Sequence, residues 1–137
     1  MNAKFLTSWL AAFVVWMGLS FAVHGAWLAP NYAALGSLYR PEADQMGYLP
    51  YMLGAHVLMA AGFVWIYQRG ISAAEWMGQG IRYGLAMGLV ATPMYLVYYA
   101  VQPMPRRLVA MQIVGDGVTL VVVGIVTAFL NKSSAKA

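Results

Sequence analysis

Four long apolar runs, separated by short polar or proline-bearing stretches, organise the chain. The first extends from Phe5 to Ala29 without a formal charge and is stopped by Pro30. At about 1.5 Å per residue it exceeds a hydrocarbon core of roughly 30 Å, so it must tilt or protrude. The second begins at Leu49-Pro50, where proline is tolerated in a first helical turn, and reaches Gln68. Arg69 followed by Gly70 reads as its stop, with the cation on the negative end of the dipole and the glycine in a left-handed cap. Ser72-Ala73-Ala74-Glu75 matches a capping box. The third helix is therefore expected to start at Ser72, to lie in the interface through Trp76, Gln79 and Arg82, and to cross from Tyr83 to Val101 with a kink at Pro93. Pro103 and Pro105 bracket a turn, the fourth run spans Leu108 to Leu130, and Asn131 to Ala137 reads as a short polar tail.

This pattern predicts an all-α fold: an integral membrane four-helix bundle forming one domain over residues 1–137, with spans at about 5–29, 49–68, 83–101 and 108–130. Composition removes the alternatives. Of 137 residues 62% are hydrophobic and 9% charged, against roughly 45–50% and about 25% in soluble domains. A disordered chain, a disulfide-stapled module and a soluble enzyme with a second domain are all excluded. The first run also outlasts the roughly 7–15 residues of a signal-peptide core. The absence of cysteine excludes thiol and thiolate–metal chemistry, and with it a four-span disulfide oxidase.

The net charge of +4 and a pI near 9.5 would suggest nucleic acid in a soluble protein. Here Lys4, Arg40, Arg69, Arg82, Arg106, Arg107, Lys132 and Lys136 sit at or beyond the ends of apolar runs, as in helices anchored by their flanks. The expected partner is a lipid bilayer, not nucleic acid. Placing both termini in the cytoplasm puts five of these cations inside and three outside, the arrangement the positive-inside rule favours. The connection from Asn31 to Tyr48 is then external. Arg40-Pro41-Glu42-Ala43-Asp44 is expected to form a short surface helix there, with Tyr32, Tyr39, Tyr48 and Tyr51 in an aromatic belt.

Between membrane helices, small residues allow the close approach that lipid does not otherwise drive. Gly80, Gly84 and Gly88 recur every fourth residue on helix three, as do Gly18, Ala22, Ala26 and Ala29 on helix one, so both stripes are expected to be packing faces. Polar residues within spans are expensive and are expected to face protein or water. His24, His56 and Asp116 come from three helices and fall at similar depths, about 8–12 Å below the outer surface. Ser20 and Asn31 share a face with His24, and Gln112 and Thr119 share one with Asp116. Thr92, Tyr95, Tyr99 and Gln102 form a third. The inner half carries no comparable set, so an apolar interior is expected toward the cytoplasm.

Two histidines at one depth could ligate a single haem b, and the pair with Asp116 has ligand types suited to a divalent metal. The competing expectation is a structural network in which Asp116 accepts hydrogen bonds from a histidine and a tyrosine. A proton-coupled carboxylate is a third. The ten methionines are dispersed and read as core filling; Trp9, Trp27 and Trp76 read as interface anchors, and Trp16 and Trp65 as packing against lipid or a partner. No nucleotide-binding, metalloprotease or hydrolase motif is present.

A first span ending in His24-Gly25, followed by the acidic Arg40-Pro41-Glu42-Ala43-Asp44 loop, resembles small four-span bacterial membrane proteins of unknown function. The resemblance implies the fold and a bacterial inner membrane, and supplies no catalytic residue. The expected function is that of an accessory or structural subunit of a larger inner-membrane complex, held through other membrane subunits or self-association, without enzymatic activity. A redox or ligand-binding protein using haem, metal or quinone is the alternative, and a small transporter or channel the second alternative.

Overall fold

The computed structural model describes residues 3–72 and 75–132, and among these every regular element is helical. Four stretches are long and apolar enough to cross a bilayer: Ala3–Trp27, Ala43–Arg69, Trp76–Val101 and Arg106–Asn131. The first consists of α1 (Ala3–Ser20) continued by a π-helical segment, Phe21–Trp27. In that segment the Leu28 N–H reaches back five residues to the Val23 carbonyl at 2.8 Å. A short α2 (Ala29–Ala33) follows, with Pro30 in its first turn, and then a 3-10 turn at Gly36–Leu38. The second span is α3 (Glu42–Arg69), the third is α4 (Trp76–Ala91) with α5 (Met94–Val101), and the fourth is α6 (Arg106–Asn131). Both chain ends lie at one end of the bundle, called the base, where Lys4 Nζ comes to 3.5 Å from the Lys132 carbonyl. The π segment, α2 and α5 form the opposite end, the crown.

Several boundaries differ from those read off the sequence. No separate surface helix forms at 40–44, because Glu42 already opens α3, and Pro50 lies inside that helix instead of in its first turn. The bond Pro50 cannot make would go to the carbonyl of Met46, an exposed residue. Gly70 caps α3 with φ −110°, not in the left-handed region, and its N–H returns to the Tyr67 carbonyl at 3.0 Å. The box expected at 72–75 does not start α4. Glu75 is itself the cap, accepting from the Met77 and Gly78 amides at 2.9 and 2.6 Å, and Ala73 and Ala74 lie outside the described residues. The kink expected at Pro93 is a full break between α4 and α5. Asn131, expected in a tail, is the buried last residue of α6.

α6 is the most enclosed helix and packs against α1, α4 and α5. Its seam with α4 is made by glycine on both sides. A Cβ on Gly84 would lie 2.5 Å from Val121 Cα and 2.6 Å from the Leu120 carbonyl oxygen, and one on Gly124 only 2.5 Å from the Gly80 oxygen. These are backbone atoms, which cannot swing aside, so the two helices touch main chain to main chain. Gly88 is buried on the same face but less crowded. Below the middle, Ala12, Ala60, Phe63, Val64, Leu120 and Val123 form the apolar core, with Trp16 and Tyr83 against it. Trp16 packs edge-on to Phe63, within the protein, while Trp65 is exposed beneath Arg69.

The stripe on helix one behaves differently from expectation. Gly18, Ala22 and Ala26 are exposed, and a Cβ on Gly18 would meet nothing within 4 Å. The buried face of α1 is set by Ser8 and Ala12, and six residues beyond Ala12 places Gly18 about 240° around the helix.

Gly84→Ala is expected to cost about 1–3 kcal/mol and to lower the thermal midpoint of the purified protein. Gly88→Ala, whose added Cβ lies 3.9 Å from its nearest neighbour, Gly117 Cα, is expected to leave that midpoint unchanged or higher. The two amides bonded to Glu75 hold its carboxyl below the ordinary carboxylate range. The stabilisation is present above that range and lost as pH falls through the lowered value. Acidification should therefore speed hydrogen exchange at Met77 and Gly78 selectively, and Glu75→Gln should abolish the pH dependence.

Candidate functional site

The crown cluster begins with a close approach. Gly115 on α6 admits the π segment: a Cβ there would fall 2.7 Å from Val23 Cγ1 and 3.4 Å from Trp27 Cζ3. This seats His24 beside the next residue, Asp116, with Nε2 2.9 Å from Oδ1, the one ion-pair contact among the described residues. Leu28, fully buried with Met104, Leu108 and Val109, anchors the reversal into α2. That reversal lays the Tyr32 ring nearly parallel to His24, centroids 6.0 Å apart, and brings its hydroxyl to 2.6 Å from Nδ1. From the other side, the break at Pro93 turns α5 so that the Tyr95 hydroxyl donates to the second carboxylate oxygen of Asp116. Gln112, one turn before Asp116, donates from Nε2 to the Tyr32 oxygen at 3.2 Å.

The directions follow from the groups. An ionised carboxylate only accepts, so Nε2 of His24 carries a hydrogen. In the neutral ring Nδ1 then accepts from Tyr32, and the Tyr32 oxygen accepts from Gln112. The result is an ordered chain, Gln112 to Tyr32 to His24 to Asp116, with Tyr95 closing on Asp116. Burial pushes the Tyr32 hydroxyl up to about 12 and raises that of Tyr39, whose ring packs 4.9 Å away, so both stay protonated at neutral pH. The side chains of His24 and Asp116 remain 30% and 22% exposed. The Gln112 Oε1 is buried and has no partner.

Not every expected member joins. His56 does not reach this cluster. Its Nδ1 donates to the Met52 carbonyl at 2.9 Å, its Nε2 accepts from Ser20 at 3.2 Å, and Trp16 meets its ring edge-on. Ser20 is a full turn before His24, so His56 joins α3 to α1 nearer the middle of the bundle. Tyr99 is 39% exposed and stands apart. Thr119 bonds its own helix at the Gly115 carbonyl, and Thr92 does the same at Gly88. Tyr32 and Tyr39, expected in an interfacial belt, belong to the cluster instead, while Tyr48 and Tyr51 are exposed and Arg40 stacks on Tyr48 at 3.6 Å.

The convergence expected of His24, His56 and Asp116 is thereby corrected. Both nitrogens of each imidazole are engaged by different partners, and no group of three histidine or acidic residues among the described residues is arranged to hold a metal. A haem held between the two histidines would require breaking both sets of bonds.

The base holds a second polar layer that the sequence reading placed nowhere. The Asn131 amide donates to Ser8 Oγ at 2.9 Å and to the Thr127 carbonyl at 2.8 Å, and accepts from Gln68 at 2.8 Å. It joins α1, α3 and α6 where an apolar interior was expected. Asn131 precedes Lys132 and so reads as tail; its spacing of four from Thr127 was the available signal. Trp9, expected as an interface anchor, donates to the Val57 carbonyl at 3.0 Å. A separate open notch of about 430 Å3 near the base is lined by Ile66, Tyr67, Gln79, Arg82 and Tyr83. None of the crown residues contributes to it.

Comparison with known protein families, with curated proteins and with solved structures finds no match for this chain. The functional reading therefore rests on geometry alone.

Tyr95 is the only residue of α5 that is not exposed, so its bond to Asp116 is the principal tie holding α5 at the crown. Tyr95→Phe keeps the ring and removes that tie. It should increase hydrogen exchange across 94–101 while leaving α4 and the base unchanged.

Proposed function

We propose that the chain is an accessory subunit of a larger membrane complex, seated in a bacterial inner membrane with both termini in the cytoplasm, so that the base faces inward and the crown outward. The observation that carries this reading is the state of α3. From Ala43 to Ala55 every residue except Leu49 is exposed, and burial begins only at His56, where the bond to Ser20 ties α3 to α1. Nearly half of a long helix thus leaves the bundle it belongs to. Large side chains such as Met46, Tyr51 and Leu58 are more than 70% exposed along it, and a Cβ on Gly47 or Gly54 would meet nothing within 4 Å. Exposed glycine weakens a helix without packing in return. It is accounted for if another transmembrane helix comes close there. The exposed Gly18, Ala22 and Ala26 of the first span extend the same demand. Saturation of both imidazoles by internal partners weighs toward this reading and away from a resident redox centre.

Purification from native membranes in mild detergent should bring down other membrane proteins in fixed ratio. Gly54→Leu should abolish that association while the thermal midpoint of the isolated chain stays within about 2 °C, since ΔΔG at an open site is small. A monodisperse monomer without partners, or association unaffected by the substitution, overturns the proposal.

A further inference from the structure

The orphaned oxygen of Gln112 is the most informative atom in the crown. Gln112 is only 4% exposed, its Nε2 donates to Tyr32, and its Oε1 is buried without a partner. An amide has nearly the same shape in its two orientations. Turned over, it would present Oε1 to the Tyr32 hydroxyl in place of Nε2. The Tyr32 oxygen would lose a donor and its hydrogen would gain an acceptor.

That exchange matters because of what lies on the other side of Tyr32. While His24 is neutral, the chain reads Gln112 N–H to Tyr32 O, Tyr32 O–H to His24 Nδ1, and His24 Nε2–H to Asp116. Once Nδ1 bears a hydrogen, it must donate to Tyr32, and the Tyr32 hydroxyl needs an acceptor. The turned Gln112 amide supplies it. Every bond of the chain then survives with its direction reversed, and the ring becomes a cation against the Asp116 carboxylate.

We infer that His24 is a proton-binding site opening at the crown, in which Tyr32 and Gln112 reverse their hydrogen bonds as the proton is taken up. The step balances without a further reagent. A hydronium ion gives its proton to the Tyr32 oxygen as the Tyr32 O–H bond breaks and its proton forms the new Nδ1–H bond; water leaves, and one positive charge passes to the ring. Tyrosinate does not accumulate, because burial holds the Tyr32 hydroxyl protonated. The titratable groups around His24 are Tyr32 from α2, Asp116 from α6, Tyr95 from α5 acting through Asp116, and Tyr39 stacked behind Tyr32. α3 adds none of these, since His56 is turned to Ser20 and Met52. Arg106 and Arg107 stand about two and a half turns before Asp116 and are exposed.

The inference stands apart from the assignment as an accessory subunit, because it concerns a site internal to the isolated chain. Its test is nitrogen and side-chain amide NMR of the full chain in lipid nanodiscs, with 15N-labelled histidine and glutamine, between about pH 4.5 and 8.5. The chain has two histidines, and His56→Gln assigns them. At high pH His24 should be the Nε2–H form and His56 the Nδ1–H form. On acidification Nδ1 of His24 should gain a hydrogen, and the Gln112 amide signals should move with the same midpoint. Asp116→Asn removes the facing charge while keeping an acceptor, and should demand roughly tenfold or more higher proton concentration for the same change. Gln112→Met should leave the neutral tautomer in place and weaken proton binding several-fold. A His24 found in the Nδ1–H form at high pH, Gln112 signals indifferent to His24, or an unchanged midpoint in Asp116→Asn each overturns the inference. The first two are read on the unmodified protein, so they do not depend on any variant folding.

Discussion

Backbone contact between α4 and α6 is the constraint from which the remaining geometry follows. A bilayer gives helices no hydrophobic reason to associate, so stability depends on how closely their main chains meet and on whether buried polar groups find partners. Gly80, Gly84 and Gly124 let the two helices touch without side chains between them. This contact fixes the rotation of α6. Once that rotation is set, the buried stripe Leu120, Gly124, Thr127 and Asn131 runs toward the base, and Gln112, Gly115 and Asp116 are presented at the crown.

The two ends of α6 use the same physics differently. At the base, Asn131 distributes its amide among Ser8, Thr127 and Gln68, all uncharged, and clamps three helices in one place. At the crown, the polar group is ionisable and its partners come from α2, α5 and the π segment, short elements with little else to hold them. The base is a fixed joint, whereas the arrangement of the crown depends on hydrogen bonds whose donors and acceptors can change places. Between them lies a dry core of Phe63, Val64 and Val123.

The four spans were legible because a run of apolar residues without charge has few alternatives to a membrane-length helix. So was the shared depth of His24 and Asp116, which helical rise alone determines. Which polar groups would meet was not legible. His56 lies at nearly the same depth as His24 but bonds to Ser20, and the choice depends on α3 separating from α1 above that point, a tertiary fact. The layer around Asn131 was hidden because a single asparagine beside a lysine looks like the end of a helix. The helix-one stripe misled for a different reason: small residues permit close packing but do not say which neighbour will use it, and Gly18 faces away from the side buried by Ala12.

The π segment carries a consequence for how this chain tolerates change in length. A π turn holds more residues than an α turn over the same rise, so Phe21–Trp27 stores extra chain where the first span meets the crown. Removing one residue there would let the helix relax to ordinary winding, with all its backbone bonds intact and its apolar length still sufficient. Everything beyond would rotate by roughly 100°. Leu28 would leave its socket and Tyr32 its place over His24. Substitutions at many positions of the first span would be absorbed by the lipid around it, but insertions and deletions in this one segment would not, because there the count of residues, more than their identity, sets the geometry.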